Sequence, residues 1–161
     1  MGYCHYWGRP AELPLSTFRS FVAECVTLRR ALGVPWLGLF GGVKIGSSFG
    51  WGRPIFREDV ICFNGRPSHE PLIIHRVFHE PQRKPGDFGL FWDFVKTNQK
   101  PYDELVVAVL VSFKHYFPAS ALSSDGGKED WARGIALYER TTGRQAPGFD
   151  VLRAPQEAAT P

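Results

Sequence analysis

The sequence predicts an α+β fold in a single domain, with one mostly antiparallel sheet and about three helices packed on it. Three observations support this prediction. The chain has 161 residues, which is enough for one domain and too short for two ordinary ones. Its hydrophobic content of 43% and charged content of 22% are those of a globular protein. The predicted order of elements, β-α-β-β-β-α-β-α, is typical of helices packed on an antiparallel sheet.

The N-terminal part of the chain predicts a strand followed by a helix. Residues 2–7 are rich in aromatic side chains and end at Gly8-Arg9-Pro10, as expected of a strand that stops at a turn. Ser16 is a suitable N-cap, and the apolar residues that follow it recur on one helical face. Gly33 and Pro35 are expected to end this helix.

The middle of the chain predicts short strands. The glycine-rich segment 36–56 is expected to hold one or two short, irregular strands. Residues 60–63 and 72–78 are rich in β-branched and aromatic side chains, and Asn64-Gly65 between them predicts a turn. Residues 81–89 are expected to be a linker inside the domain.

The second half predicts a central helix over about 101–116. The apolar run 105–111 does not by itself distinguish a helix from a strand. Pro101 suits the first helical position, and acidic residues follow it while basic residues lie in the last turn. The helix is apolar on most sides, so we expect it to be buried.

The C-terminal region predicts a short strand at 121–124 and a last helix that opens at Glu129 and ends at Gly143. Residues 1–143 are therefore expected to form the domain. Residues 144–161 contain proline, alanine and glutamine and are expected to be a poorly ordered tail.

Composition narrows the classes of partner and compartment. The net charge is +3, and no run of five like charges exists, so nucleic acid is not expected as a partner. The longest uncharged stretch is too short and too broken by glycine and proline to cross a membrane. The three cysteines lie far apart, which argues against a disulfide framework. Without a recognisable signal segment, a cytoplasmic location is expected.

No metal or cofactor is expected. His69, His75 and His79 lie close together in sequence. Two histidines four residues apart on an extended strand would be about 13 Å apart, which is too far to bind one ion. We therefore interpret this segment as a half-buried strand with polar residues at its rim.

Two groups of residues are candidates for ligand binding. Tyr3, His5 and Trp7 alternate along the first strand and share one face, so they form either an aromatic core strand or a stacking wall for a flat ligand. Lys96-Thr97 precedes the central helix and Ser124-Asp125 precedes the last one, where helix N-termini attract anions. Capping and turn formation also explain the second group.

Short blocks along the chain resemble a family of small proteins found in bacteria, phages and prophages, whose chains open with Gly-Tyr-Thr-His-Tyr-Trp. The blocks are Gly2-Tyr3-Cys4-His5-Tyr6-Trp7, Phe63-Asn64-Gly65, His69-Glu70, Lys96-Thr97, Lys100-Pro101-Tyr102-Asp103, Ser123-Ser124-Asp125-Gly126 and Asp130-Trp131. The resemblance implies a shared fold and a shared site, but it does not imply any enzymatic activity. This chain has Cys4 where the family has threonine and Val95 where cysteine is common, which argues against a catalytic thiol at either position.

The sequence therefore predicts a binding protein for a nucleotide-like anionic small molecule, with stacking aromatic rings, a cation and hydroxyl groups. The predicted ligand-binding residues are Tyr3, His5, Trp7, Asn64, Glu70, Lys96, Thr97, Tyr102, Ser124 and Asp125. The phage-associated resemblance suggests sequestration of a nucleotide signal as an anti-defence function. One alternative is a small hydrolase-type enzyme in which Asp125 orients His5 as general acid/base. Another is an inhibitor that binds a host protein through aromatic residues around Trp36 and Trp51.

Overall fold

A computed structural model gives the structure of the protein and describes residues 2–32, 43–50, 52–80 and 84–153. The strands of this part of the chain are β1 (Cys4–Arg9), β2 (Lys44–Gly46), β3 (Ile55–Phe56), β4 (Val60–Arg66), β5 (Leu72–His75), β6 (Phe91–Lys96) and β7 (Ala121–Ser124). Its α-helices are α1 (Leu15–Leu32), α2 (Asp103–Tyr116), α3 (Lys128–Thr142) and α4 (Phe149–Arg153), and a 3₁₀ turn covers Asp87–Gly89.

The fold is α+β, as predicted, but the strands form two antiparallel sheets rather than one. In the first sheet β1 lies between β6 and β7. In the second sheet β4 pairs with β2, β3 and β5. One or two short strands were expected within residues 36–56, and β2 and β3 lie there, although residues 36–42 and 51 lie outside the described part.

The strand β6 was not predicted from the sequence. Along β6 only Val95 is buried, whereas Phe94 is 56% exposed. Aromatic residues on the outer face hide the alternation of apolar and polar residues that identifies a half-buried strand. β6 pairs with β1 along the whole of β1, from Cys4 opposite Lys96 to Arg9 opposite Phe91.

The turn predicted at Asn64-Gly65 is also wrong, because β4 continues through both residues to Arg66. β2 pairs with this end of the strand and places Gly46 opposite Asn64. The partner strand β5 ends at His75, earlier than expected. The Arg76 N–H still binds the carbonyl of Asp59 opposite it, whereas the carbonyl of Arg76 accepts the N–H of Leu13, which lies outside the sheet.

The helix α2 is the centre of the core and packs against both α1 and α3. Ten consecutive residues of α2, from Leu105 to Lys114, are at most 2% exposed, and Leu105, Val109 and Leu110 are 0% exposed. The predicted buried helix is therefore confirmed. It begins at Asp103, two residues after Pro101, because residues 101 and 102 form a turn.

α1 differs from expectation at its start, whereas α3 ends where the sequence predicted. α1 begins at Leu15, so Ser16 lies inside the first turn instead of capping it, and the carbonyl of Pro14 accepts the N–H of Phe18. α3 ends before Gly143, which adopts the left-handed conformation that a helix C-terminus favours.

Residues 144–153 do not form the poorly ordered tail that was predicted. α4 places Leu152 in the core at 0% exposure, and the ring of Phe149 lies 5.7 Å from that of Trp131. Hydrophobic burial therefore extends the domain to at least residue 153, and the prediction for residues 154–161 lies outside the described part. Within the described residues, no helix is both long enough and apolar enough to span a membrane.

Candidate functional site

A buried histidine and an aspartate join the first sheet to the start of α2. His5 on β1 is 0% exposed, and its Nε2 lies 2.8 Å from Oδ1 of Asp103, the first residue of α2. An ionised carboxylate can only accept hydrogen bonds, so the imidazole donates through Nε2–H in this pair. Asp103 remains 13% exposed and is the member of the pair that reaches the surface.

Thr97 is the second donor to the same carboxylate. Its hydroxyl is buried and donates to Oδ1 of Asp103 at 2.5 Å. The backbone fixes Thr97 in turn, because its N–H binds the carbonyl of Tyr3. Within the described residues both hydrogen bonds reach Oδ1, so Oδ2 is the oxygen that remains available to a ligand. Two fixed donors on one oxygen hold the carboxylate in a single orientation.

Three polar atoms around His5 are buried without a hydrogen-bond partner among the described residues. They are Nδ1 of His5 itself, the hydroxyl of Tyr3 and Nε1 of Trp131. The ring centroids of Tyr3 and Trp131 lie 5.0 and 5.4 Å from that of His5. Each unsatisfied buried polar group costs about 1–3 kcal/mol. Buried polar groups without a partner call for an explanation, and a functional role is one.

The environment of Tyr3 also changes its acidity. Burial raises the pKa of Tyr3 to about 12, and the nearby negative charge of Asp103 adds to the increase. The phenol is therefore neutral throughout the physiological range and can only act as a hydrogen-bonding group there. A Cβ at Gly126 would lie 2.3 Å from the Tyr3 hydroxyl oxygen, so the phenol packs directly against the turn before α3.

Asp103 lines a cavity of about 280 Å³ between the N-terminal ends of α2 and α3. The lining residues are Gln99, Lys100, Pro101, Asp103, Glu104, Glu129, Asp130 and Arg133. Four of these side chains are acidic and two are basic, so the cavity carries an excess of negative charge. This balance differs from the site that the sequence predicted, in which a cation, a helix N-terminus and hydroxyl groups bind an anionic group.

The loop that forms one side of the cavity has an unusual backbone. Asn98 and Gln99 are consecutive residues with positive φ, at 50° and 53°. Left-handed residues other than glycine cost about 1–3 kcal/mol each and cluster at functional sites. The conformation places the Gln99 amide against Asp130, with Nε2 donating to Oδ1 at 3.0 Å. Asp130 also accepts the N–H of Gly127 at the start of α3, so this wall of the cavity is fixed.

The predicted pairing of His5 with Asp125 is not found. Oδ2 of Asp125 accepts the N–H of Cys4 at 2.9 Å, and its Oδ1 lies 3.5 Å from the Tyr6 hydroxyl. The side chain of Tyr6 alternates with that of His5 and therefore faces the opposite side of β1. Asp103 takes the place that was expected for Asp125. Ser124, next to it, donates to the carbonyl of Cys4 and closes the strand end.

His5 and Trp7 do not form one stacking wall for a ligand. Both are buried, at 0% and 1% exposure, and Trp7 lines a different cavity from the one beside Asp103. The alternative interpretation, an aromatic core strand, describes these two residues.

Hydrogen bonds beside the site connect Glu70 with Lys96 and Tyr102. Oε2 of Glu70 accepts the N–H of Lys96, and the hydroxyl of Tyr102 donates to the carbonyl of Glu70 at 2.7 Å. The Lys96 side chain lies along Gly2, where a Cβ would come within 2.2 Å of its Cε. Lys96 is therefore not among the residues that line the cavity beside Asp103, and the cations there are Lys100 and Arg133.

Asn64 holds two loops in place. Its Nδ2 donates to the carbonyls of Ser48 and His69, at 2.9 and 3.0 Å, and its Oδ1 accepts the N–H of Gly65. Both amide hydrogens are therefore used inside the protein, where they connect these two loops.

The structure changes the geometry expected for His75 and His79. β5 ends at His75 and the chain bends, so the two imidazole centroids lie 4.9 Å apart instead of about 13 Å. Within the described residues, no group of three or more His, Cys, Asp or Glu side chains is placed to hold a metal ion.

The most important residue missed by sequence reasoning is Asp103, which was assigned only to the first turn of a helix. Trp131 was treated as a helix-face residue, and Gln99 and Arg133 were not considered. The resemblance blocks contain both Asp103 and Trp131, in Lys100-Pro101-Tyr102-Asp103 and Asp130-Trp131. Both blocks belong to the same family pattern. This shared pattern is the signal that could have predicted that Asp103 and Trp131 lie in one site.

In comparisons with protein-family models, with curated proteins and with solved structures, no match to this chain was found.

Proposed function

We propose that the protein binds a small nucleotide-like molecule in the cavity between the starts of α2 and α3. The observation that carries the proposal is the carboxylate of Asp103, which lines this cavity and is held through Oδ1 by His5 and Thr97. A fixed carboxylate oxygen recognises an N–H or O–H donor, such as the donor edge of a nucleobase or a sugar hydroxyl.

The charges of the cavity restrict the anionic part of the ligand. Lys100 and Arg133 can contact a phosphate, and the helix N-termini favour negative charge. Glu104, Glu129 and Asp130 in the same lining repel it. A ligand with one phosphate group, such as a cyclic nucleotide or a nucleoside monophosphate, fits this balance better than a di- or triphosphate. The volume of about 280 Å³ also favours a small ligand.

Binding without conversion is supported by the position of the histidine. A general base must lie within hydrogen-bond distance of the proton that it removes. His5 is fully buried behind Asp103 and is not among the cavity-lining residues. The resemblance to phage and prophage proteins supports a setting in which the protein withholds a nucleotide signal from a host defence system.

The test is a thermal-shift screen of nucleosides, cyclic nucleotides and nucleoside mono-, di- and triphosphates. A ligand at 100 times its Kd stabilises the folded state by about 2.7 kcal/mol through mass action. We expect Asp103→Asn and Lys100→Ala to remove most of this gain, whereas Lys44→Ala, an exposed lysine on β2, should retain it. The proposal would be contradicted if no compound raised the melting temperature, or if the increase were the same in Asp103→Asn.

A second candidate is an enzyme in which Asp103, rather than His5, is the general base. The position of Asp103 in the cavity lining favours this candidate, because a general base must lie within hydrogen-bond distance of the proton that it removes. Chromatography of each nucleotide after incubation distinguishes the two. Ligand recovered intact supports the binder, and product whose formation is lost in Asp103→Asn supports the enzyme.

A further inference from the structure

The cavity beside Asp103 offers a ligand more hydrogen-bond acceptors than donors. Four of its lining side chains are carboxylates, which can only accept, whereas the lining cations are Lys100 and Arg133. Among the described residues of the lining, Pro101 is the only apolar one and none is aromatic. Recognition of a base in this cavity therefore depends mainly on hydrogen bonds at the edge of the base rather than on stacking.

Two of the four carboxylates already have hydrogen-bond partners that hold them against the wall. Asp130 accepts the Gln99 amide at Oδ1 and the N–H of Gly127 at Oδ2. Glu104 accepts the guanidinium of Arg140 at Oε1, at a distance of 3.3 Å. These two side chains are therefore engaged within the protein before a ligand arrives.

The other two carboxylates have oxygens that accept no hydrogen bond from the described part of the chain. Oδ1 of Asp103 accepts the hydrogen bonds of His5 and Thr97, which leaves Oδ2. Glu129, in the first turn of α3, has neither a hydrogen-bond nor an ion-pair partner among the described residues. The cavity thus offers two available acceptors, one held in place by the protein and one on an exposed side chain that can adjust.

Guanine is the common nucleobase whose edge matches two neighbouring acceptors. Its N1–H and its N2 amino group are donors side by side, as in the guanidinium group that pairs with carboxylates. Adenine and cytosine instead have a ring nitrogen acceptor next to the amino group, and uracil has carbonyl oxygens on both sides of its N–H. Such an acceptor would face a carboxylate oxygen with no proton between them, which is unfavourable.

We propose that the cavity selects guanine, with N1–H bound by Oδ2 of Asp103 and the N2 amino group bound by Glu129. This inference rests on the proposed function, because it names the base of the nucleotide that the same cavity binds. The hydrogen bonds of His5 and Thr97 leave Oδ2 as the oxygen of Asp103 for this contact. The cations of the lining remain for the single phosphate group.

The test compares nucleotides that differ only in the base. The 5′-monophosphates and the 3′,5′-cyclic monophosphates of guanosine, inosine and adenosine are titrated into the full chain at pH 7 by calorimetry. Inosine keeps N1–H but lacks the N2 amino group, and adenosine has an acceptor at N1. Within one phosphate form, we expect guanosine to bind about tenfold more tightly than inosine and about a hundredfold more tightly than adenosine.

Two variants assign the two contacts. Glu129→Ala should reduce the ratio of guanosine to inosine affinity from about ten to about one, because only guanosine has the amino group. In Asp103→Asn, His5 and Thr97 keep the amide oxygen at the position of Oδ1, so the amide nitrogen takes the position of Oδ2. This variant should lose guanosine binding at least tenfold and gain affinity for adenosine, whose N1 accepts the new N–H. The control Asp59→Asn, at a carboxylate that is 63% exposed outside the cavity, should change neither ratio.

The outcomes separate this inference from the proposed function. Melting curves without ligand show whether each variant folds, and Glu129→Ala, at an exposed position, carries the test if Asp103→Asn does not fold. Equal affinities for the guanosine and adenosine nucleotides would overturn the selection of guanine and leave the proposed function standing. A guanosine preference that is unchanged in both variants would also overturn it. If no nucleotide binds, the proposed function and the assignment of the base are both wrong.

Discussion

Tyr102 lies directly on the backbone of Gly65, so that a Cβ at Gly65 would stand 2.3 Å from the Cβ of Tyr102. The contact joins β4 of the second sheet to the turn that precedes α2. From the same ring, the Tyr102 hydroxyl reaches the carbonyl of Glu70 at 2.7 Å. The start of α2, and with it Asp103, is thus placed by a strand nearly forty residues earlier in the chain.

Replacing Gly65 by alanine should therefore destabilise the protein. The added methyl group has no space against Tyr102, and overpacking of this kind costs about 1–3 kcal/mol. Gly148→Ala is the matched control, because a Cβ there meets nothing within 4 Å. Urea denaturation of the two variants checks the prediction. Equal free energies of unfolding would show that Tyr102 moves aside without cost.

Thr97→Val should isolate the contribution of the hydroxyl to the Asp103 site. Valine keeps the shape of threonine but removes the donor to Oδ1 of Asp103. A hydrogen bond to a charged group contributes about 1.5–3 kcal/mol, so the free energy of unfolding should fall by that amount. Thr27→Val, at an exposed position on α1, should change it by less than about 0.5 kcal/mol. Similar losses in both variants would contradict the special role of the buried hydroxyl.

Leu110→Ala should cost about 2–5 kcal/mol, because it removes a fully buried side chain from the centre of α2. The comparison is Leu15→Ala, since Leu15 is 41% exposed at the start of α1 and should lose much less. Thermal melts monitored by circular dichroism measure both. A melting temperature unchanged by Leu110→Ala would be inconsistent with the buried helix.

Acid should destabilise the protein partly through His75. Burial first, and then the charges of His79 and Arg9, lower the pKa of His75 below its usual 6.5 in the folded state. Below pH 6.5 the unfolded chain takes up a proton at this residue more readily than the folded chain does. Stability therefore falls as the pH decreases through this window, until the folded form is protonated as well.

The variant His75→Gln does not titrate and tests this effect directly. Between pH 7 and pH 5 the free energy of unfolding should decrease more for the original chain than for the variant, as measured by urea denaturation at several pH values. A difference between the two proteins that stays constant with pH would show that His75 does not contribute.

The sequence by itself determined the fold class and the elements that depend on local pattern. The apolar run 105–111 with acidic residues before it and basic residues after it is sufficient to predict α2. Gly143 is sufficient to predict the end of α3, because the left-handed conformation at a helix C-terminus favours glycine. The alternation along β1 predicted that Tyr3 and His5 share one face, and their ring centroids lie 5.0 Å apart.

The tertiary structure alone decided which polar groups meet. The partner of His5 is 98 residues away, and no spacing rule relates a strand residue to the first residue of a helix so distant in sequence. β6 was hidden because its aromatic residues face outward, and Asn64-Gly65 is a strand rather than a turn because β2 pairs with it. In each case long-range pairing outweighed local propensity, since a residue's environment depends on the elements that pack against it. The site beside Asp103 exists only because β1, the loop at Gln99 and the starts of α2 and α3 converge there.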